Sequence, residues 1–209
     1  MTALIETMRV RGGAVPLLWF HRLRLERSAA ALGLPAPALW SDAIQRATEV
    51  GDGVLRVVWN GVAEWSTREV GTEPVALRTS AVPHTPYPHK TTGRDVFVRA
   101  ARAAGGDEPL LLTADRQVAE TAKFAVVWLE GETLCAVDPA VGVLPSVGLE
   151  RLGRAWPLTF RRPSRADLVD RPVALVNAVR GLVPVAALDG VSCDRDVRWE
   201  AIEAAFWPA

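Results

Sequence analysis

The mix of hydrophobic and polar positions over residues 3–10, ALIETMRV, reads as a short strand ended by Gly12-Gly13. AVPLLWF, residues 14–20, reads as a second strand. The spacing then changes. In HRLRLERSAAALG, residues 21–33, Leu23, Leu25, Ala30, Ala31 and Leu32 recur at mixed threes and fours before Gly33 and Pro35, so a helix with a C-terminal stop is predicted. A second helix is predicted in LWSDAIQRATEVG, residues 39–51, with Ser41 as its cap and Gly51 as its terminator. GVLRVVWNGVAEWSTREV, residues 53–70, reads as two strands turning at Asn60-Gly61, a strong hairpin signal. This first unit is therefore of the form ββααββ.

VPHTPYP, residues 82–88, crowds prolines together and predicts an extended connector. Beyond it, GRDVFVRAARAAGG, residues 93–106, carries Val96, Phe97, Ala100, Ala101 and Ala104 at helical spacing. Two hairpins follow: PLLLTADRQVAET, turning at Ala114-Asp115-Arg116, and AVVWLEGETLCAV, turning at Glu130-Gly131. Helical patches in SVGLERLG (146–153) and RADLVDR (165–171) precede strands in PVALVNAV (172–179) and LVPVAALDG (182–190). The second half is thus strand-dominated with attached helices, an α+β pattern without strict βαβ alternation.

Composition narrows the function classes. Lys plus Arg and Asp plus Glu each number 24, and the two signs are interspersed, so neither nucleic acid nor an anionic membrane is expected as a partner. Cys135 and Cys193 lie far apart with no CxxC or Cys/His spacing, which predicts no metal site and two reduced thiols. MTALIETMRVRGG lacks an uninterrupted apolar run of signal-peptide length, and a cytoplasmic location is expected.

Only two of the cations are lysines, Lys90 and Lys123. Arginine can supply a charge or a phosphate fork, but not a deprotonatable primary amine. Lys90, in PHKTTGRD, is therefore either a nucleophile of the Schiff-base kind or an ordinary exposed lysine. No GxGxxG or Walker A spacing is present. Gly142-Val-Leu-Pro-Ser146-Val-Gly148 enters a helix, and the free N–H groups of such a start can hold a phosphate or only water. Arg24, between Arg22 and Arg27, is either inward-facing or part of a solvated face, and Glu120 closes the strand QVAE.

The order of these features, HRLRL, then HKTTGR, then QVAE, then GVLPSVGLERL and NAVRG, resembles the class IV aminotransferase family, pyridoxal-phosphate (PLP) enzymes of fold type IV. HKTTGR and NAVRG are most similar to its 4-amino-4-deoxychorismate lyase branch. The resemblance implies a smaller N-terminal α/β domain (residues 1–80), a proline connector (81–89) and a larger barrel-like C-terminal domain (90–209) that binds the cofactor. It implies Lys90 as the catalytic amine, Glu120 as partner of the pyridine nitrogen, and Arg24 with the N–H groups around Ser146, Val147 and Gly148 on the phosphate. His84, Tyr87, His89 and Arg180 are expected near the substrate, a small amino compound, in a homodimeric enzyme. The chain departs from the family at Ala125, where asparagine is usual, at Ser146 and Leu149 in the phosphate turn, and at Ala178 in place of serine. Aminotransfer to branched-chain or D-amino acids, or cofactor binding with little activity, are the alternatives.

Overall fold

In the computed structural model, which describes residues 2–208, the chain runs through seventeen regular helices and strands. The strand expected over residues 3–10 becomes β1 (Leu4–Val10). Leu4, Glu6, Met8 and Val10 are buried on one face, and Ile5 on the other. The expected strand at 14–20 does not form. Helix α1 (Leu18–Ala31) begins two residues after Pro16, and only helical spacing brings Leu17, His21, Arg24, Leu25, Ser28 and Ala29 onto one buried face. In α2 (Trp40–Val50) Ser41 lies inside the first turn and does not cap, because Leu39 occupies that position; Gly51 terminates the helix at φ +71°. Next come β2 (Gly53–Trp59) and β3 (Ala63–Arg68), turning through Asn60-Gly61-Val62.

These three strands make an antiparallel sheet in the order β1-β2-β3. Leu4, Met8, Val10, Leu55, Val57 and Trp59 pack on one face against Leu25, Ala29, Leu39 and Ala47 of the α1–α2 layer. The other face carries Ile5, Thr7 and Arg56, with Thr7 directly opposite Arg56.

The remainder is β4 (Val75–Thr79), α3 (Asp95–Ala103), β5 (Glu108–Leu112), β6 (Val118–Thr121), β7 (Ala125–Glu130), β8 (Thr133–Val137), α4 (Val147–Ala155), β9 (Thr159–Arg161), β10 (Val173–Asn177), β11 (Gly181–Leu188), β12 (Val191–Ser192) and α5 (Arg198–Phe206). The second sheet runs β6-β5-β4-β11-β10-β7-β8-β9, with β12 on β11. Segment 75–79, inside the expected 1–80 unit, thus belongs to this larger sheet, between β5 and β11. The sheet curls until its ends approach: Val118 N–H donates to the Pro163 carbonyl at 2.7 Å, and Gln117 bridges to Ser164. This is the half-barrel of the fold type IV class.

Alternation sorts the strands into an inside and an outside. Val126, Trp128, Cys135, Val137, Val173 and Leu175 fill the barrel, while Val127, Leu129, Leu134, Ala136, Ala174 and Val176 carry Leu152 of α4 and Trp199, Ile202 and Phe206 of α5. The helix expected over 165–171 is only a 3-10 turn at Ala166–Leu168. Strands β4, β9 and β12 and helix α5 were not foreseen in the sequence. Among the described residues no helix is long and apolar enough to cross a membrane.

The segment around Lys90 ties the two sheets together. Ile5 N–H donates to the Lys90 carbonyl at 2.7 Å and Thr92 N–H to that of Ala3 at 2.8 Å. The proline connector is held in turn by the bonds His84 N–H to Leu112 O and Tyr87 N–H to Gly142 O.

Candidate active site

A cavity of about 780 Å³ opens where the two sheets and the Lys90 segment meet, and it is lined by Lys90, Arg24, Glu120 and residues 146–149 together. Sequence positions scattered over 125 residues thus share one wall. Burial lowers the Lys90 ammonium from its ordinary range to about 7, helped by Arg24, Arg94 and Arg56 and opposed by Glu6. The backbone beside it is fixed by Tyr87, whose hydroxyl donates to the Thr91 carbonyl and accepts from the Thr91 N–H, both at 2.7 Å.

Arg24 is not a free fork. Its Nε donates to Glu6 Oε1 at 2.9 Å and its Nη2 to Glu6 Oε2 at 2.6 Å, while Nη1 reaches the Pro145 carbonyl at 3.1 Å. One N–H on each terminal nitrogen remains. Glu6 sits on the core face of β1 at 1 % exposure and also pairs with His21 Nδ1 at 2.6 Å. Although burial opposes ionisation, Arg24 and His21 outweigh it and hold the Glu6 carboxyl at about 2. Burial pushes His21 down, so the neutral ring donates through Nδ1 and leaves Nε2 buried without a partner among the described residues. Neither Glu6 nor His21 was singled out from the sequence. The signal was there: one carboxylate in phase with Leu4, Met8 and Val10, and His21 and Arg24 one helical turn apart.

The bond to Pro145 brings Arg24 against the start of α4. There Ser146 caps the helix by accepting the Leu149 N–H at 3.2 Å, and the N–H groups of Val147 and Gly148 find no acceptor among the described residues. The helix is drawn in by Gly148: a Cβ there would lie 2.6 Å from the Asn177 carbonyl carbon and 2.7 Å from its Cα. Backbone cannot yield as a flexible side chain does. Gly148→Ala is therefore expected to destabilise the fold by about 1–3 kcal/mol, the range for overpacking, and to weaken anion binding by moving both free N–H groups. A urea-denaturation midpoint equal to that of the wild type would refute the close approach.

Glu120, 7 % exposed, has its Oε1 occupied by the Leu144 N–H at 3.2 Å and by His84 Nε2 at 3.0 Å. Its Oε2 has no partner among the described residues, and the residue lines the cavity. The expected substrate residues divide. His84 stands behind Glu120 and His89 bonds Ser28 Oγ at 3.1 Å, and neither lines the cavity; Tyr87 and Arg180 do. Arg180 is presented by Asn177, whose Oδ1 accepts from the N–H groups of Val179 and Arg180, while the guanidinium donates to the Glu73 carbonyl. Ala125, Leu149 and Ala178, the departures, line the cavity as well. So does Arg56, which makes no hydrogen bond or ion pair to another described residue and was not anticipated.

An amine whose proton affinity burial has lowered, a half-used guanidinium beside two free helix N–H groups, and a buried carboxylate with one open oxygen form a donor set that fits PLP: aldehyde, phosphate and pyridine nitrogen each find a partner. The sequence model of the family Amino-transferase class IV matches residues 3–188. No curated protein matches in sequence. Among solved structures, 4-amino-4-deoxychorismate lyase from Pseudomonas aeruginosa is similar at 27 % identity and a TM-score of 0.80, over 97 % of this chain and 88 % of that one. A hypothetical aminotransferase from Mycobacterium tuberculosis in its PLP-bound form is similar at 22 % identity and a TM-score of 0.85, over 98 % and 87 %.

Proposed function

The chain belongs to the class IV aminotransferase family, whose cofactor is PLP, and we propose that within it the reaction is the lyase one: 4-amino-4-deoxychorismate to 4-aminobenzoate and pyruvate. One observation carries this reading. Five arginines line the cavity, Arg24, Arg56, Arg68, Arg94 and Arg180. Of these, Arg56 has no hydrogen-bond or ion-pair partner among the described residues, where Arg68 and Arg180 reach only the backbone carbonyls of Glu69 and Glu73. Unneutralised guanidiniums in a partly enclosed site suit a substrate with two carboxylates, such as aminodeoxychorismate, better than a branched-chain amino acid with one. The lyase of Pseudomonas aeruginosa, alike over nearly the whole chain, supports the same reading.

In this reading PLP, when bound, supplies an electron sink for the substrate carbon that bears the amino group. Lys90 takes the proton from that carbon and holds it at Nζ, which its lowered affinity for protons permits near neutrality. Loss of that proton with departure of the neighbouring enolpyruvyl oxygen leaves an aromatic ring, so the products are 4-aminobenzoate and pyruvate. Arg24 and the Val147 and Gly148 N–H groups hold the phosphate, and Glu120 Oε2 accepts from the ring nitrogen.

The test is product identity. Purified protein reconstituted with PLP and given aminodeoxychorismate is expected to release 4-aminobenzoate and pyruvate in equal amounts. Conversion of the bound cofactor to its amine form by an amino acid, with neither product from aminodeoxychorismate, would replace this reading by aminotransfer.

A further inference from the structure

We propose that Glu6 and His21 are positioning residues for the cofactor phosphate, acting through Arg24. Glu6 is the one carboxylate on the buried face of β1, among Leu4, Met8 and Val10. An acidic group there is costly unless paired, and an apolar side chain would serve the core better. What the carboxylate does instead is take one whole edge of the Arg24 guanidinium, Nε and Nη2, in a two-pronged contact at 2.9 and 2.6 Å. A guanidinium is planar, so fixing one edge fixes the other donors. With Nη1 also on Pro145 O, the free N–H on each terminal nitrogen is left beside the helix start that carries the Val147 and Gly148 N–H groups.

His21 completes the arrangement from the side. Its ring is wholly buried, it reaches the same Glu6 Oε2 that accepts from Arg24 Nη2, and it lies one turn before Arg24 on α1. Donation from Nδ1 stops the carboxylate from rotating about its stem. Without it, Glu6 retains its attraction for Arg24 but loses the fixed plane. Neither Glu6 nor His21 lines the cavity, so both act through Arg24, which does.

This predicts an effect confined to the phosphate end. The affinity of the apoprotein for PLP and for pyridoxal, which has the same aldehyde and ring nitrogen but no phosphate, is measured by equilibrium dialysis in wild type, Glu6→Gln and His21→Leu. Glutamine keeps the size of Glu6 but offers one acceptor in place of two, so PLP affinity is expected to fall roughly tenfold to a hundredfold, the range for losing a charge-assisted hydrogen bond. His21→Leu should lose less. Pyridoxal affinity should stay within about twofold in both, so the ratio of the two affinities falls. Inorganic phosphate should protect the wild-type apoprotein against thermal unfolding more than either variant. Equal losses for PLP and pyridoxal would mean a merely structural role and overturn the proposal, as would an unchanged ratio; should Glu6→Gln not fold, the ratio in His21→Leu decides. None of these measurements uses a substrate, so they stand or fall apart from the lyase reading.

Discussion

Lys90→Met is expected to abolish turnover, by a factor of roughly 10⁴ or more, because in the proposed reaction one residue both bonds the cofactor and moves the proton. Methionine fills the space and removes only the amine. Lys90→Arg is expected to be as inactive although it keeps the positive charge, since a guanidinium does not deprotonate near neutrality. If the arginine variant retained appreciable turnover, charge and not the amine would be the requirement.

A second consequence concerns stability. Lys90 is lowered in the folded protein from 10.5 to about 7, chiefly by burial. Between those values the unfolded chain binds a proton that the folded chain lacks, so the contribution of this residue to stability falls as pH drops from 10.5 towards 7 and is constant below. The Lys90→Met apoprotein should therefore unfold at higher urea than wild-type apoprotein at pH 7, with the difference shrinking towards pH 10. A difference that is the same at both values would mean that the lysine is not held neutral.

That the amine could be picked out beforehand follows from the string it stands in, HKTTGR, placed after HRLRL and before QVAE and GVLPSVGLERL; rarity alone does not decide, since Lys123 is equally rare and lies exposed in an ion pair with Glu108. The hairpin of β7 and β8 was legible for a different reason. Its turn is local, its two arms AVVWLE and TLCAV are strand-length, nearly continuous apolar runs, and Gly131 takes the positive φ it needs. Residues 14–20 misled because a run of apolar residues fits a strand and a buried helix start equally; what decided was Leu17 sharing a face with His21. β4 was invisible since five residues, VALRT, have no pattern of their own and are stabilised by β11, more than a hundred positions away. The site divides the same way. Lys90, Glu120 and the turn before α4 stand in recognisable strings. Glu6 and Arg56 gain meaning only from what the fold puts opposite them.

Glu120→Gln should leave the cofactor bound and lower kcat by roughly 10²–10³, the usual cost of removing one electrostatic partner of developing charge. The carboxylate is held by one oxygen, Oε1, through the Leu144 N–H and His84, and presents the other to the cavity. Glutamine can keep its carbonyl oxygen on Leu144 N–H, so the side chain is expected to stay in place. The atom facing the ring nitrogen then becomes an amide donor. A donor cannot accept a proton's hydrogen bond, so the nitrogen is left unprotonated and the ring draws electrons from the substrate carbon less strongly. Because the proposed phosphate contacts and the proposed Lys90 bond would be untouched, PLP affinity should fall far less than kcat, and KM should change little. That split separates a role at the ring from damage to the pocket. Loss of cofactor in parallel with kcat would show that Glu120 only supports the walls, and unchanged kcat would remove it from the chemistry.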